Sequence, residues 1–264
     1  MGLSDMIEPV PRKTMVLFFV IDTSGSMEGT KIGIVNSTIE ELIPDLKDLS
    51  GSNSDAEIKI AVLQFSTGAT WLTPSGPVDL ENFTWKYLEA FGVTDLGEAC
   101  EELNKKLSTK AFMSEATGSY APAIFLMSDG MPTDDYKKEL TRLKDNNWFK
   151  KAIKVAIAIG DNVDRNILEE FTGSNESVLV AENSAMLKKM VRFVSVRASE
   201  VASKSSSAGN DGGFPSKQKE FEQDIKDFKD ELEFDDSSAG SFDDSFDSSF
   251  DGSFDNPSDG SEVW

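Results

Sequence analysis

Met15-Val16-Leu17-Phe18-Phe19-Val20-Ile21 runs directly into Asp22-Thr23-Ser24-Gly25-Ser26, and this junction decides the fold. The apolar run predicts a buried strand. The residues that follow place one carboxylate and two hydroxyls at alternate positions just beyond its carboxyl end. Open α/β sheets bind ligands at that end of their strands, and oxygen clusters of this kind bind hard cations. The junction therefore predicts an α/β protein with a cation site at one end of its sheet.

Two later segments repeat the pattern. Gly92-Val93-Thr94-Asp95 opens a helical stretch and supplies the hydroxyl of Thr94. The apolar run Ala123–Met127 ends in Ser128-Asp129-Gly130 and supplies a second carboxylate. The candidate metal ligands are five oxygen-bearing side chains: Asp22, Ser24, Ser26, Thr94 and Asp129.

Apolar runs alternate with stretches of helical period along the chain, which is typical of βαβ units. The predicted strands are Thr14–Ile21, Glu57–Phe65, Ala69–Leu72, Ala121–Ser128, Lys154–Ile159 and Ser177–Val180. The predicted helices are Lys31–Leu49, Asp95–Leu107, Tyr136–Asn146, Asp164–Phe171 and Ser184–Ser203. We expect a doubly wound, mostly parallel sheet, with Ala69–Leu72 as one antiparallel edge strand because it follows the second strand so closely.

The five candidate ligands match a known pattern. Together they fit the D-x-S-x-S, Thr and late Asp of the metal-ion-dependent adhesion site (MIDAS), and the chain resembles the von Willebrand factor A (VWA) domains over about residues 13–200. Three stretches are also similar to the TerY-like group of bacterial tellurite-resistance proteins: Thr94–Ala99, Ser128–Asp134 and Trp148–Ile153. The resemblance implies that Ser24, Ser26 and Thr94 coordinate Mg²⁺ directly, that Asp22 and Asp129 act partly through water, and that a partner's acidic residue takes the open position.

A plainer interpretation competes with metal binding. Asp22 and Ser24 could cap the following helix, and Asp129-Gly130 could be a simple turn. Their correct order, each at a strand end or helix start, favours a metal site, with Mn²⁺ or Ca²⁺ as alternatives to Mg²⁺. Nearby Asp95, Asp134 and Asp135 are expected at helix N-termini rather than on the ion.

Composition removes several enzyme classes. The chain has no histidine and one cysteine, Cys100, which excludes Ser-His-Asp, Cys-His and common zinc chemistry. Cys100 is expected to be buried. We predict no catalytic residue and no organic cofactor. The alternative is a Mg²⁺-dependent phosphohydrolase with Asp22 as nucleophile. Two observations count against it: Ser24 occupies the position at which such an enzyme needs a second Asp, and no lysine is expected to pair with the site.

The net charge indicates which partners to expect, and the apolar runs indicate the location. Of the formal charge of −21, residues 205–264 carry −13, from 17 acidic and 4 basic residues, so nucleic acid and anionic membranes are not expected as partners. Residues 1–13 lack the form of a signal peptide, and no run is long enough to span a bilayer. We expect a cytoplasmic protein rather than an extracellular adhesin.

The domain organisation follows from shifts in composition. We expect an N-terminal extension at 1–13, a VWA domain at 14–203, a flexible linker at 204–216, an amphipathic helix at 217–234 and an acidic tail at 235–264 that is disordered when alone. The helix carries an apolar stripe of Phe221, Ile225, Phe228 and Leu232. The tail repeats Ser-Phe-Asp every four residues from Ser241 to Asp255.

Three hypotheses for function follow. The leading one is a metal-dependent adaptor or regulator that binds an acidic residue of a partner protein. The resemblance adds a bacterial stress or defence setting with a Ser/Thr kinase and a protein phosphatase, and the tail serines suit an acidophilic kinase. Alternatively, a tail aspartate fills the metal site of its own chain, with the 217–234 helix docked nearby, or the repeats act as a multivalent scaffold.

Overall fold

The computed structural model describes residues 12–115, 118–160, 163–203 and 215–239. Its strands are β1 Lys13–Asp22, β2 Ala56–Ser66, β3 Gly68–Trp71, β4 Val78–Asp79, β5 Ala123–Ser128, β6 Ile153–Ile159 and β7 Val178–Ala181. Its helices are α1 Thr30–Ser52, α2 Leu96–Lys106, α3 Lys137–Asp145, α4 Asn147–Lys151, α5 Arg165–Thr172, α6 Ser184–Ser203 and α7 Pro215–Ala239. Short 3₁₀ turns cover Gly25–Met27 and Leu80–Asn82.

The strands form one mixed sheet in the order β3-β2-β1-β5-β6-β7. All neighbours are parallel except β3, which pairs antiparallel with β2 at the edge, with Phe65 opposite Ala69. This confirms the predicted fold class. The two-residue strand β4 also pairs antiparallel with β2, with Val78 opposite Ile60. A strand of two residues carries no readable period, so it is not evident from the sequence.

Helices cover both faces of the sheet, which is why the central strands are apolar throughout. Every residue of β5 and β6 is buried. Along β1, Val16, Phe18 and Val20 belong to a cluster with the buried sides of α2, α3 and α5. Their neighbours in the strand face the other side, where α1 and α6 pack together.

The parallel register brings the strand ends that matter to one place. Ile21 of β1 lies opposite Met127 of β5, so the next residues in the two strands, Asp22 and Ser128, are adjacent at the carboxyl end of the sheet. Met127 in turn lies opposite Ile157 of β6. The predicted convergence of the first and third loops therefore has a direct cause in the strand pairing.

Residues 83–90 are neither helix nor strand. Trp85 is buried there and donates from its indole nitrogen to Asn36 Oδ1 at 3.2 Å. Trp71 is also buried, so both tryptophans pack in the interior. Cys100 is buried as well, and its desolvation raises the pKa of the thiol.

The chain divides into two compact units, Met1–Asp227 and Phe228–Trp264. In the first, the start of α7 is packed: Phe221 and Ile225 are fully buried. Asp224 lies 3.5 Å from Arg197 of α6. In the second, α7 continues to Ala239. Of the predicted extension at 1–13, linker at 204–216 and tail at 235–264, residues 1–11, 204–214 and 240–264 lie outside the described residues, as does the side chain of Leu232.

Candidate metal centre

The first loop of the site folds back on the carboxylate that begins it. Asp22 is fully buried at the end of β1. Its Oδ1 accepts from the backbone N–H of Ser24 at 2.8 Å, and its Oδ2 accepts from the hydroxyl of Ser128 at 2.6 Å. The hydroxyl oxygens of Ser24 and Ser26 lie 3.0 Å apart. Both oxygens of Asp22 are thus anchored, and the two serine hydroxyls form a pair.

Burial dominates the electrostatics of Asp22. It raises the pKa of this carboxyl above its ordinary value, because the charged form is taken out of water. Hydrogen bonds from Ser128 and Ser24 oppose the rise, and the nearby negative charge of Asp129 adds to it. Two buried carboxylates that repel each other provide a site at which a cation is stabilised.

Asp129 is the second carboxylate and is only half satisfied. It is buried, and its Oδ2 accepts from Lys31 Nζ at 3.0 Å. Its Oδ1 is buried without a hydrogen-bond partner. A buried carboxylate oxygen with no donor is costly unless another group, such as a metal ion, meets it. This orphaned oxygen is the feature of the site that fits a cation best.

Lys31 corrects one expectation. The sequence offered no lysine for the site, yet Lys31 in the first turn of α1 reaches Asp129 with a side chain that is 29% exposed. Its stem passes over Gly160, where an added Cβ would lie 2.9 Å from Lys31 Cε. A lysine therefore does pair with the site, and the expected absence of one, which counted against a phosphohydrolase, is wrong.

Thr94 is held between the other two loops by backbone hydrogen bonds. Gly25 donates to the carbonyl of Gly92 at 3.1 Å. Thr94 N donates to Thr133 Oγ1 at 3.0 Å, and Thr133 N donates back to Thr94 O at 2.9 Å. Thr133 lies just beyond Asp129, so the three loops that carry the candidate ligands are directly bonded neighbours. Thr94 itself is buried.

The neighbouring aspartates have structural roles. Asp134 Oδ2 accepts from Gly97 N at 2.7 Å, in the first turn of α2, which agrees with its expected place at a helix N-terminus. Asp95 is the residue before α2, but its Oδ2 accepts from Gly68 N at 2.8 Å, which joins the helix start to β3 instead. Asp135 is exposed.

The donor set has the chemistry of a hard-cation site. It combines two carboxylates with three hydroxyls, the oxygen ligands that Mg²⁺, Mn²⁺ and Ca²⁺ accept. In the ranges that the structure describes, no group of three or more His, Cys, Asp or Glu side chains gathers in a way that could hold a metal, so an ion at this place would depend on the hydroxyls as well as on the two carboxylates. The residues present therefore fit a divalent ion at this place.

Comparison with known proteins gives the family. Residues 17–192 match the family model of the von Willebrand factor type A domain. The chain belongs to the VWA family. VWA domains commonly act as metal-dependent protein-interaction modules.

One curated relative matches part of this VWA chain. Inter-alpha-trypsin inhibitor heavy chain H2 of Homo sapiens is 26% identical over 206 residues, which cover 72% of this chain and 20% of the relative. The chain thus spans about a fifth of the length of that protein.

Solved structures of low sequence identity share the fold. The pilus adhesin SpaC of Lactobacillus rhamnosus GG is 12% identical with a TM-score of 0.55, over 72% of this chain and 31% of its own. The von Willebrand factor type A structure from Catenulispora acidiphila is 16% identical with a TM-score of 0.51, over 71% and 43%. Proximal thread matrix protein 1 of the mussel byssus, in a form with a zinc-occupied MIDAS motif, is 19% identical with a TM-score of 0.51, over 71% and 46%.

Sequence reasoning missed three contributors to this VWA site. They are Lys31, Ser128 and Thr133, which bond to Asp129, Asp22 and Thr94 respectively. Ser128 could have been found, because the strand register places it next to Asp22.

In the described part of the chain, no helix has the length and apolarity needed to cross a lipid bilayer.

Proposed function

We propose that this VWA protein is a metal-dependent interaction module, an adaptor or regulator that binds an acidic residue of a partner protein through Mg²⁺. The observation that carries the proposal is the unpartnered Oδ1 of Asp129, buried close to Asp22 and to the loop of the serine hydroxyl pair. Ser24, Ser26 and Thr94 would hold the ion directly, and Asp22 and Asp129 partly through water. Mn²⁺ and Ca²⁺ are the alternative ions.

When bound, the ion would supply an electrophilic centre for an incoming carboxylate, since neutral hydroxyls make up most of its protein ligands. The chain's own groups keep that centre in place. Asp22 fixes the backbone of Ser24 and the hydroxyl of Ser128, and Lys31 holds one oxygen of Asp129. A partner that presents a carboxylate then binds only while the ion is present.

Metal uptake tests this function first. Thr94→Val removes one hydroxyl at nearly constant volume, and Ser24→Ala removes another; each is expected to weaken Mg²⁺ or Mn²⁺ binding at least about tenfold in isothermal titration calorimetry. Thr141→Ala is the matched control, because its exposed hydroxyl bonds only to its own helix at Lys137. No measurable uptake by the unaltered protein, or equal affinity in all variants, would overturn the proposal.

Partner binding tests it second. Protein captured from a native lysate in Mg²⁺ is expected to be released by EDTA and to be absent with Thr94→Val. Retention of the same partner in EDTA would show that the metal has no part in binding.

The proposal includes the absence of catalysis. Asp22 is fully buried and both of its oxygens accept hydrogen bonds, so it is poorly placed for nucleophilic attack. Ser24 also stands where a phosphohydrolase of this type would carry a second aspartate. The purified protein with Mg²⁺ is therefore expected not to hydrolyse a generic phosphate ester, and turnover that is lost in Asp22→Asn would establish the enzyme alternative.

The cellular setting is proposed on the TerY-like resemblance alone. It suggests a cytoplasmic role in bacterial tellurite resistance or a related stress response, with a Ser/Thr kinase and a protein phosphatase as partners. The tail serines, each close to acidic residues, would be the kinase substrates. Phosphopeptide mapping during tellurite exposure is expected to find them modified, and unmodified serines in the presence of an active cognate kinase would remove this part.

A further inference from the structure

Large apolar side chains are exposed on the loops that carry the candidate metal ligands. Among the residues whose burial the structure describes, four such side chains are strongly exposed: Tyr87 at 63%, Phe91 at 59%, Met131 at 48% and Val93 at 46%. Phe91, Val93 and Met131 lie on the loops of the site, and we call them the 91/93/131 surface. Tyr87 is not part of this surface, because its hydroxyl donates a hydrogen bond to Glu40 of α1.

Backbone contacts fix this surface to the metal loops. Phe91 N donates to the carbonyl of Thr23, inside the D-x-S-x-S loop, at 2.8 Å. Val93 immediately precedes Thr94, and its N–H lies 3.4 Å from Thr67 Oγ1. Met131 is two residues beyond Asp129. Aromatic and methionine side chains that are exposed together around a polar centre are typical of protein docking surfaces.

The chemistry of the surface defines its ligand. A carboxylate would occupy the ion, and a large apolar group next to it would cover the exposed side chains. The chain's own repeats carry that combination four times, as Phe242-Asp243, Phe246-Asp247, Phe250-Asp251 and Phe254-Asp255. The first three of these aspartates also stand three residues before the next phenylalanine, so a single helical turn would place an acid and an aromatic ring on one side.

The chain leaves its packed part far from the site. The site lies at the carboxyl ends of β1 and β5. Lys154 is the second residue of β6 and therefore lies at the amino end of the sheet. The charge of Glu222 of α7 acts on the Lys154 ammonium, so the start of α7 lies near that end. Arg197, which pairs with Asp224, lies near the end of α6. The first unit therefore ends at the pole opposite the metal centre, which favours presentation of the repeats to a neighbouring molecule.

We infer that the 91/93/131 surface and the metal centre together bind a Phe-Asp repeat, within residues 241–256, of a second copy of this chain. The inference rests on the proposed function, because the aspartate needs the ion. The metal centre holds two buried carboxylates against one lysine, and the repeats lie in the segment 205–264, which carries −13, so without the cation the contact is repulsive. Four repeats per chain make the association multivalent, and the contact is head-to-tail because it joins two different surfaces of the same chain.

Sedimentation velocity of the full chain tests the inference. In Mg²⁺ the protein is expected to associate in a concentration-dependent way, and EDTA is expected to return it to monomers. Two variants are each expected to weaken association at least about tenfold. The surface variant combines Phe91→Ser with Met131→Ser, and the repeat variant changes all four repeat phenylalanines to alanine. Tyr87→Ser is the matched control and is expected to associate normally.

Mixing the two variants separates docking from damage. The surface variant keeps its repeats and the repeat variant keeps its surface, so an equimolar mixture is expected to regain association, limited to complexes that contain both variants. Association that persists in EDTA, or a mixture that stays monomeric, overturns the inference. The unaltered chain could instead stay monomeric in Mg²⁺ and bind the free 241–256 peptide less tightly than the repeat variant does. That result would show that a repeat occupies the site of its own chain, and it would also overturn the inference.

Metal uptake keeps the two proposals distinguishable. Calorimetry on the surface variant is expected to show unchanged Mg²⁺ affinity, because Phe91 and Met131 supply no ligand. A protein that binds the ion but never associates refutes the repeat docking and leaves the interaction module standing. A protein that takes up no ion refutes both.

Discussion

At the residue scale, the pairing of Lys31 with Asp129 is what the sequence could least have revealed. The two residues are 98 positions apart, and the contact exists because the first turn of α1 starts beside the end of β5. The ammonium group partly neutralises a buried carboxylate and so stabilises the site before an ion arrives. It also competes with that ion for the same charge.

Lys31→Met should therefore change metal binding and stability in opposite directions. Loss of the ammonium leaves Asp129 uncompensated, so the metal-free protein should melt at a lower temperature. The Mg²⁺ affinity should rise about threefold to tenfold, which corresponds to about 1 kcal/mol for a partly exposed ion pair. Calorimetry and thermal melts with and without Mg²⁺ measure both effects. Lys47→Met is the control, because Lys47 Nζ lies 3.8 Å from Glu81 Oε2 in an exposed ion pair. An equal rise in Mg²⁺ affinity in that variant would show that the effect comes only from the change in net charge.

At the element scale, the loop after β5 shows how backbone conformation positions a ligand. Gly130 has φ of +73°, and its N–H donates to Ser128 Oγ at 2.8 Å. A Cβ at this position would lie 2.7 Å from the backbone oxygen of Asp164. The turn therefore needs glycine both for its left-handed φ and for its close approach to the segment before α5.

Gly130→Ala is accordingly expected to lower the free energy of unfolding by about 2 kcal/mol or more, from the left-handed penalty and the clash combined. Its Mg²⁺ affinity should fall as well, because Asp129 is the preceding residue. Gly33→Ala is the control: nothing lies within 4 Å of its added Cβ in α1, and it should raise stability by about 0.5 to 1 kcal/mol. Urea denaturation monitored by fluorescence compares the two, and equal effects would contradict the argument.

The start of α7 is an element whose place the sequence did not specify. The apolar stripe predicted a helix and left open whether its surface was this domain or a partner. The structure buries Phe221 and Ile225 and places Asp224 by Arg197, so the domain itself receives this segment. It lies at the amino end of the sheet, which gives no support to a helix docked near the metal.

At the scale of the whole molecule, the sheet separates two charged regions. The carboxyl end carries the metal centre, and the amino end carries Lys154, whose ammonium donates to the carbonyls of Ala152 at 2.8 Å and Phe149 at 3.2 Å. Burial lowers the pKa of Lys154 to about 8, against the attraction of Glu222. The folded state therefore binds this proton less readily than the unfolded state does.

A pH dependence of stability follows from Lys154. Between pH of about 8 and the ordinary lysine value of 10.5, the unfolded chain is protonated at this residue and the folded protein is not, so the free energy of unfolding rises with pH. Relative to Lys154→Met, which cannot titrate, the unaltered protein should gain up to about 3 kcal/mol across this window. Denaturation curves at several pH values measure the difference, and a difference that is flat with pH would contradict the shifted pKa.

By itself, the sequence determined the doubly wound sheet, the antiparallel edge strand and the family. Long apolar runs and helical periods are local signals, and parallel strands necessarily bring their carboxyl ends together, so the approach of the Asp22 and Asp129 loops could be predicted. The place of Thr94 rested on the family resemblance, because no parallel strand ends just before it. The folded arrangement was needed to show that Lys31 meets Asp129, that Phe91, Val93 and Met131 are exposed on the loops of the site, and that α7 begins at the opposite pole. Each of these depends on where a helix start or a loop falls in space, which is set by packing between distant segments and has no period along the chain.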